Sequence, residues 1–203
     1  MITGCRKYEE YLHAAIRRMT RSEWEVIGIV GGGTEASLNE KTRILSLPVE
    51  DTYEALPSKI HAAVEWIAAN RPGISGIFKT DDDILFDMNS LASAITISHK
   101  IPFWGVHVDV CEAGPITGER VESRFINTSL RPTHQAATYC YGLGYWVSKD
   151  MFPHICKSKH DYMTSYLEDV CTGFVLNREG IFPTQIEIPY KESPRGPELL
   201  AIK

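Results

Sequence analysis

Apolar residues recur at helical spacing over residues 8–19, YEEYLHAAIRRM, where Tyr8, Leu12 (or Tyr11), Ala15 and Met19 fall on one side. EVIGIV, 25–30, is a short β-rich run stopped by GGGT, and RILSLPV, 43–49, is a second. Pro57 and Ser58 then open a helix whose apolar face is Ile60, Val64 and Ile67, with Ala63 and Trp66 beside it, and Pro72 and Gly73 end it. ISGIFKT, 74–80, reads as a buried strand, MNSLASAITIS as the next helix, and PFWGVHVDV, 102–110, as a strand rich in aromatic and β-branched residues. This alternation predicts a mainly parallel sheet covered on both faces. Ligands of such sheets bind beyond the carboxyl ends of the strands. Residues 111–139 hold few apolar runs and many turn formers, and read as a long loop or a hairpin over the site. The Pro-rich tail YKESPRGPELLAIK is expected to wrap the surface.

Composition narrows the classes. Of 203 residues, 43% are hydrophobic and 23% charged, which fits a soluble globular chain with a sizeable core. A formal net charge of −5 argues against nucleic acid as a partner. No apolar run approaches the ~20 residues of a spanning helix, so no membrane insertion is expected. The opening MITGCRKYEE lacks the apolar core of a signal peptide. Five cysteines without a C-x-x-C pair argue against structural zinc, and free thiols in a reducing cytoplasm are the plain expectation.

Three consecutive carboxylates, Asp81, Asp82 and Asp83, stand at the end of the 74–80 strand. Burying them together is costly unless a cation neutralises them. On extended backbone, Asp81 and Asp83 point to one side and Asp82 to the other. Either the outer pair shares a divalent cation, with Mg²⁺ or Mn²⁺ matching hard carboxylate oxygens, or the three form a solvated acidic turn. Glu168 and Asp169 lie in the apolar segment YLEDVCTGFVL, where they either cap a helix or supply a general base. GGGT, 31–34, either lets backbone amides approach a base or ribose or is a flexible turn. Together the two acidic clusters suggest a metal-diphosphate site plus a base, an arrangement for attack on an activated sugar; His107 and Asp109 share a face of their strand and can line its acceptor site or help a metal, whereas Trp104 suits the core. Tyr139, Tyr141 and Tyr145 can stack on a sugar or pack inside. His13, His61, His99 and His134 carry no signal.

Four stretches then occur in a familiar order and approximate spacing: ILSLPVEDTYEALPSKIHAAVEWI, FKTDDDILFDMNSL, YCYGLGYWVSKDMF and YLEDVCTGFVLNREGI. Together they resemble glycosyltransferase family 31, which holds the β-1,3-galactosyl- and N-acetylglucosaminyltransferases and is similar to the Fringe enzymes. Asp51, Tyr53, Leu56 and Lys59 match the D-x-Y-x-N-L-T-x-K block, with Ala55 and Pro57 replacing its Asn and Thr. Lys79 with Asp81, Asp82 and Asp83 matches K-x-D-D-D. Gly142, Gly144, Tyr145 and Ser148 match the Gly-rich block, and Glu168, Asp169, Val170 and Gly173 match E-D-V-x-x-G. The resemblance covers roughly residues 44–182.

That resemblance implies an α/β chain of GT-A fold: a mainly parallel central sheet with helices on both faces and a small antiparallel acceptor-side part. It implies one domain over 1–203, with a nucleotide-sugar-binding half, 1–110, and an acceptor-binding half, 111–203. The donor is expected to be a UDP-sugar and the acceptor a glycan or glycoprotein, with inversion at the anomeric carbon. By carry-over, Asp83 together with Asp81 ligates Mn²⁺ (or Mg²⁺), Asp81 and Asp82 face the nucleotide and sugar, and Asp169 is the base. Lys59 is expected to reach a phosphate or base. ITGC would form the first strand edge of a GT-A fold, where Thr3, Gly4 and Arg6 touch the nucleotide. Two departures stand out. Family members usually carry a membrane anchor and disulfides, of which this chain gives no sign, and no histidine follows His160, where the pattern has a metal-holding one. The chain is similar in this to compact soluble relatives encoded by large DNA viruses and microbes. The other functional class compatible with these residues is a non-catalytic module that binds a nucleotide sugar or glycan on the same fold.

Overall fold

The computed structural model describes residues 1–115 and 133–192. In chain order the first half carries β1 (Ile2–Thr3), α1 (Glu9–Met19), β2 (Gly28–Val30), β3 (Ser37–Asn39), β4 (Ile44–Ser46), α2 (Leu56–Asn70), β5 (Gly76–Asp81), β6 (Ile84–Phe86), α3 (Met88–Ser98) and β7 (Phe103–Gly105). The rest adds β8 (Val108–Cys111), β9 (Gly114–Pro115), β10 (Thr133–His134), β11 (Ala137–Cys140), β12 (Gly144–Ser148), α4 (Phe152–Lys157), α5 (Lys159–Thr164), α6 (Glu168–Asn177), β13 (Thr184–Gln185) and β14 (Tyr190–Glu192).

Eight strands form the central sheet in the order β13-β7-β12-β5-β1-β2-β4-β3. The neighbours β5, β1, β2 and β4 are parallel, as are β13 and β7. The antiparallel β12 is inserted between β5 and β7, and β3 runs antiparallel to β4 at the edge. The sheet is therefore mainly parallel, as the alternation of elements predicts.

Period-two alternation assigns each strand residue to a layer. Ile29, Leu45, Ile77, Phe103, Tyr145 and Val147 join one core with Ile60, Ala63, Val64 and Ile67 of α2 and with Ile155, Cys171, Val175 and Leu176 of α4 and α6. Their strand neighbours face the other way. Ile2, Val30 and Ile44 meet Leu12, Ala15 and Ile16 of α1, and Phe78, Trp104 and Trp146 meet Leu91 of α3. Helices thus cover both faces.

Three expectations are corrected in detail. PFWGVHVDV is not one strand: β7 ends at Gly105, and β8 leaves the main sheet to pair antiparallel with β11. Gly105 and Cys140 lie so close that a Cβ at Gly105 would fall 2.5 Å from Cys140, which fixes where the chain turns. The extended run does not continue through the aspartates either, since β5 stops at Asp81 and Asp82 and Asp83 form a turn into β6. The first β-rich run shrinks to Gly28–Val30. Trp104 is fully buried, as expected for the core. The 111–139 segment forms an antiparallel ribbon in its described parts, with β8 paired to β11 and β9 to β10. Its residues 116–132, and residues 193–203 of the tail, lie outside the described residues.

Candidate functional site

The carboxyl ends of β1 and β5 and the start of α2 border a cavity of about 360 Å³. Thr3, Gly4, Asp51, Tyr53, Lys59, Asp81 and Asp83 are among the residues that line it. All four residues matched in the first sequence block, Asp51, Tyr53, Leu56 and Lys59, reach this wall. A second cavity, of about 460 Å³, lies at the opposite strand ends around Trp24, Ile27, Ile77 and Trp146.

One wall is organised by Asp51. Its Oδ1 accepts from Lys59 Nζ at 2.7 Å and from Gly31 N at 2.8 Å, and its Oδ2 accepts from Arg6 N at 2.6 Å. Lys59, only 2% exposed, also donates to Gly4 O at 3.0 Å. A lysine is buried this fully only when paired. Burial pushes Asp51 up, but Lys59 and the two amides outweigh it and hold its pKa below the ordinary 3.8. The GGGT turn is built by the same contacts. Gly31, Gly32 and Gly33 spend their amides on Asp51, Val49 O and Leu47 O, so they do not offer N–H groups to a ligand. Gly32 adopts φ +76°, and a Cβ at Gly31 would meet Glu50 O at 2.5 Å, so the glycines serve backbone geometry here.

The opposite wall is a knot of charge around Lys79, 1% exposed on β5. Its Nζ donates to Asp81 Oδ1 at 2.8 Å and Gly142 O at 3.0 Å, and forms an ion pair with Glu168 Oε1 at 2.7 Å. Burial pulls Lys79 down, but the two carboxylates prevail and its pKa is raised. Glu168, itself buried, accepts from Tyr145 OH at 2.8 Å through Oε2. Burial raises Glu168 to about 7 against the pull of Lys79. Thr3 Oγ1 donates to Asp81 Oδ1 as well.

The peptide of Gly142 ties this knot to Asp169. While its carbonyl accepts from Lys79, its N–H donates to Asp169 Oδ2 at 3.1 Å. A Cβ on residue 142 would lie 3.1 Å from Lys79 Nζ and 3.4 Å from Glu168 Oε1, so only glycine leaves the node undisturbed. Asp169 is partly exposed, and burial is the main cause of its raised pKa. Neither carboxylate occupies the N-cap of α6, which is Leu167. Glu168 is spent on Lys79 and Tyr145, whereas Asp169 bonds Val170 N at 2.8 Å with its other oxygen.

Thus the structure brings Thr3, Gly4, Lys59, Asp81 and Asp83 to one cavity, and links Asp169 to Asp81 through Lys79 and Gly142. It does not bring Arg6 or Asp82 to the cavity wall. The Arg6 side chain donates to Gly31 O and Ser46 Oγ at 2.9 Å, bracing the glycine turn. Asp82 is fully buried, and its backbone carbonyl accepts from Arg18 at 3.3 Å. Sequence reasoning matched Asp51 and Lys79 to the family pattern without giving them a role, and had Tyr145 either stack on a sugar or pack inside; it is buried, with its hydroxyl on Glu168. A lone lysine inside the apolar strand ISGIFKT was the available signal, because a buried ammonium demands carboxylate partners.

The donor set fits a divalent cation bound together with phosphate. Among the described residues no three His, Cys, Asp or Glu side chains cluster around one metal position. Mg²⁺ and Mn²⁺ at nucleotide sites need only one or two carboxylates plus the substrate's phosphates, and Asp81 and Asp83 share the cavity. Thr3 and Lys79 both donate to Oδ1 of Asp81, which leaves Oδ2 for a ligand.

The sequence profile of the galactosyltransferase family matches residues 34–187. A mouse (Mus musculus) beta-1,3-galactosyltransferase 1 is 30% identical over 139 residues, covering 66% of this chain and 41% of that protein. The human UDP-GalNAc:beta-1,3-N-acetylgalactosaminyltransferase 1 is 26% identical over 180 residues, covering 82% of this chain and 53% of that protein. The chain spans about half or less of the length of these curated relatives. Among solved structures, a 4-diphosphocytidyl-2C-methyl-D-erythritol synthase superposes with a TM-score of 0.49 and 11% identity over 93% of this chain and 88% of that one. No helix among the described residues is long and apolar enough to cross a membrane. With the family profile spanning Asp51, Lys59, Lys79, Asp81, Asp83 and Asp169 alike, the chain belongs to the galactosyltransferase family.

Proposed function

We propose that the protein is an inverting glycosyltransferase that moves a sugar from a UDP-sugar to a hydroxyl of a glycan or glycoprotein. The observation that carries this reading is the Lys79–Gly142 node, which holds a cavity carboxylate, Asp81, and a partly exposed carboxylate, Asp169, in one fixed arrangement. Transfer needs donor and base held together, because orientation supplies much of the rate. Asp81 and Asp83 would hold Mn²⁺ or Mg²⁺, which supplies charge neutralisation for the diphosphate.

Asp169 takes the proton of the acceptor hydroxyl. The oxygen forms a bond to the anomeric carbon as the bond from that carbon to the diphosphate oxygen breaks, and UDP leaves with the electron pair. Burial favours this role, since a carboxylate with a raised pKa is a stronger base. One displacement by a lone base inverts the anomeric carbon, so an α-linked donor gives a β-linked product. The anomeric proton signal of the product tests this: a β configuration is expected, and an α product overturns the inverting mechanism. Among the described residues no three His, Cys, Asp or Glu side chains cluster around one metal position, which favours, as a second reading, a module that binds without turnover. Release of UDP from a panel of UDP-sugars with Mn²⁺ separates the two, since a pure binder releases none.

A further inference from the structure

We propose that one face of the β8–β11 ribbon, bearing His107, Asp109, Tyr139 and Tyr141, is a platform on which a hexopyranoside acceptor lies. The proposal rests on the transferase reading and names where its second substrate binds.

Register puts these four side chains on one side. Tyr139 pairs directly with Asp109, and Tyr141 N donates to His107 O at 3.0 Å. Residues two apart on a strand share a face. The rings confirm the grouping: Tyr139 and Tyr141 stack with centroids 5.5 Å apart, and His107 lies 4.4 Å from Tyr141. Tyr141 OH donates to Asp109 Oδ2 at 2.8 Å, which fixes ring and carboxylate against each other. His107 and Asp109 are exposed, and both tyrosines are half-buried.

A stacked pair of aromatic rings edged by an anchored carboxylate suits a pyranose. The apolar C–H face of the sugar rests on the ring, while its hydroxyls donate to Asp109. The position also matches the chemistry. The residue after Tyr141 is Gly142, whose N–H holds Asp169. Asp169 also acts on Tyr139 and Tyr141, contributing to their raised pKa values after burial and the Asp109 bond respectively. An acceptor on this face therefore lies beside the carboxylate that must receive its proton. The face belongs to neither cavity.

The test uses saturation-transfer NMR on the full chain with methyl β-galactoside and methyl β-N-acetylglucosaminide, in the presence of UDP and Mn²⁺. Transfer to one face of the ring of at least one glycoside is expected. Tyr141→Ala should weaken that binding about tenfold, and the exposed change Asp109→Asn should weaken it too. The thermal shift given by UDP should stay unchanged in both variants. Glycoside binding indifferent to both substitutions overturns the platform, as does absence of any glycoside signal while UDP still binds. If UDP fails to bind but a Tyr141-dependent glycoside signal persists, the nucleotide-sugar reading fails and the platform stands.

Discussion

Lys79 Nζ sits 2.7 Å from Glu168 Oε1, and both residues are almost wholly buried. The same ammonium holds Asp81 and the Gly142 carbonyl. Lys79→Met would leave two carboxylates facing a buried apolar group. Breaking a buried pair by removing one partner costs about 3–5 kcal/mol. Urea unfolding should show a loss of that size, whereas an exposed lysine such as Lys157 changed to Met should show almost none. A Lys79→Met loss below ~1 kcal/mol would mean that the knot relaxes rather than strains.

Asp83→Ala and Asp169→Asn should fail in different ways. The first removes a cavity carboxylate and should weaken UDP binding with Mn²⁺ to the level seen in EDTA, measured by calorimetric titration. The second leaves the cavity intact, so UDP should bind normally while transfer falls about 10²–10⁴-fold, the usual share of a general base. Full transfer by Asp169→Asn would move the base to another group. Equal UDP affinity with and without Mn²⁺ in the unaltered protein would remove the metal from Asp83 and Asp81.

Gly173 sets the distance between α6 and the β8–β11 ribbon. A Cβ there would fall 2.6 Å from Tyr139 Cβ and 2.7 Å from Thr138 O, neither of which is the end of a flexible side chain. Gly173→Ala should cost about 1–3 kcal/mol by overpacking, and it should lower transfer by more than it lowers UDP binding, because Asp169 rides on the same helix. Denaturation and calorimetry read the two effects separately.

Asp51 gives the site an acid-sensitive component. Its folded pKa is depressed, because Lys59 and the Arg6 and Gly31 amides outweigh the upward push of burial. As pH falls, the unfolded chain therefore takes up this proton first. The stabilisation is complete above the ordinary value of 3.8 and is lost as pH drops through the folded value. Asp51→Asn should melt below the unaltered protein at about pH 6, and the gap should close towards about pH 2. A gap that is constant over this range would show that Asp51 contributes only by hydrogen bonding that Asn reproduces.

Local signals carried much of the fold. The helix Met88–Ser98 occupies the expected residues because Asp87 caps it, accepting from Ser90 N at 2.8 Å. α2 buries the apolar face read from Ile60, Val64 and Ile67. What escaped sequence reading depends on partners far along the chain. Lys59 looks in sequence like a surface lysine and is made interior by Asp51, while Lys79, although it interrupts an apolar strand, gives no local hint that its partner is Glu168. After Gly105 the chain leaves the main sheet to pair with β11, a partner that no local pattern around residue 105 reveals. Alternation did place Asp81 and Asp83 on one side and Asp82 apart, although Asp82 and Asp83 form a turn rather than extended backbone.

The two-residue strand β1 lies at the middle of the sheet, with Ile2 and Thr3 between β2 and β5. Its bonds reach across a long stretch of chain, since Thr3 and Asp81 are 78 positions apart. So short a strand has no stability of its own and forms only after its neighbours have arrived. Loop closure must therefore be completed before the carboxylates of the site meet, a topology that slows folding. Proper assembly of the site is consequently a late event, and nucleotide binding during refolding should report the last step rather than the first.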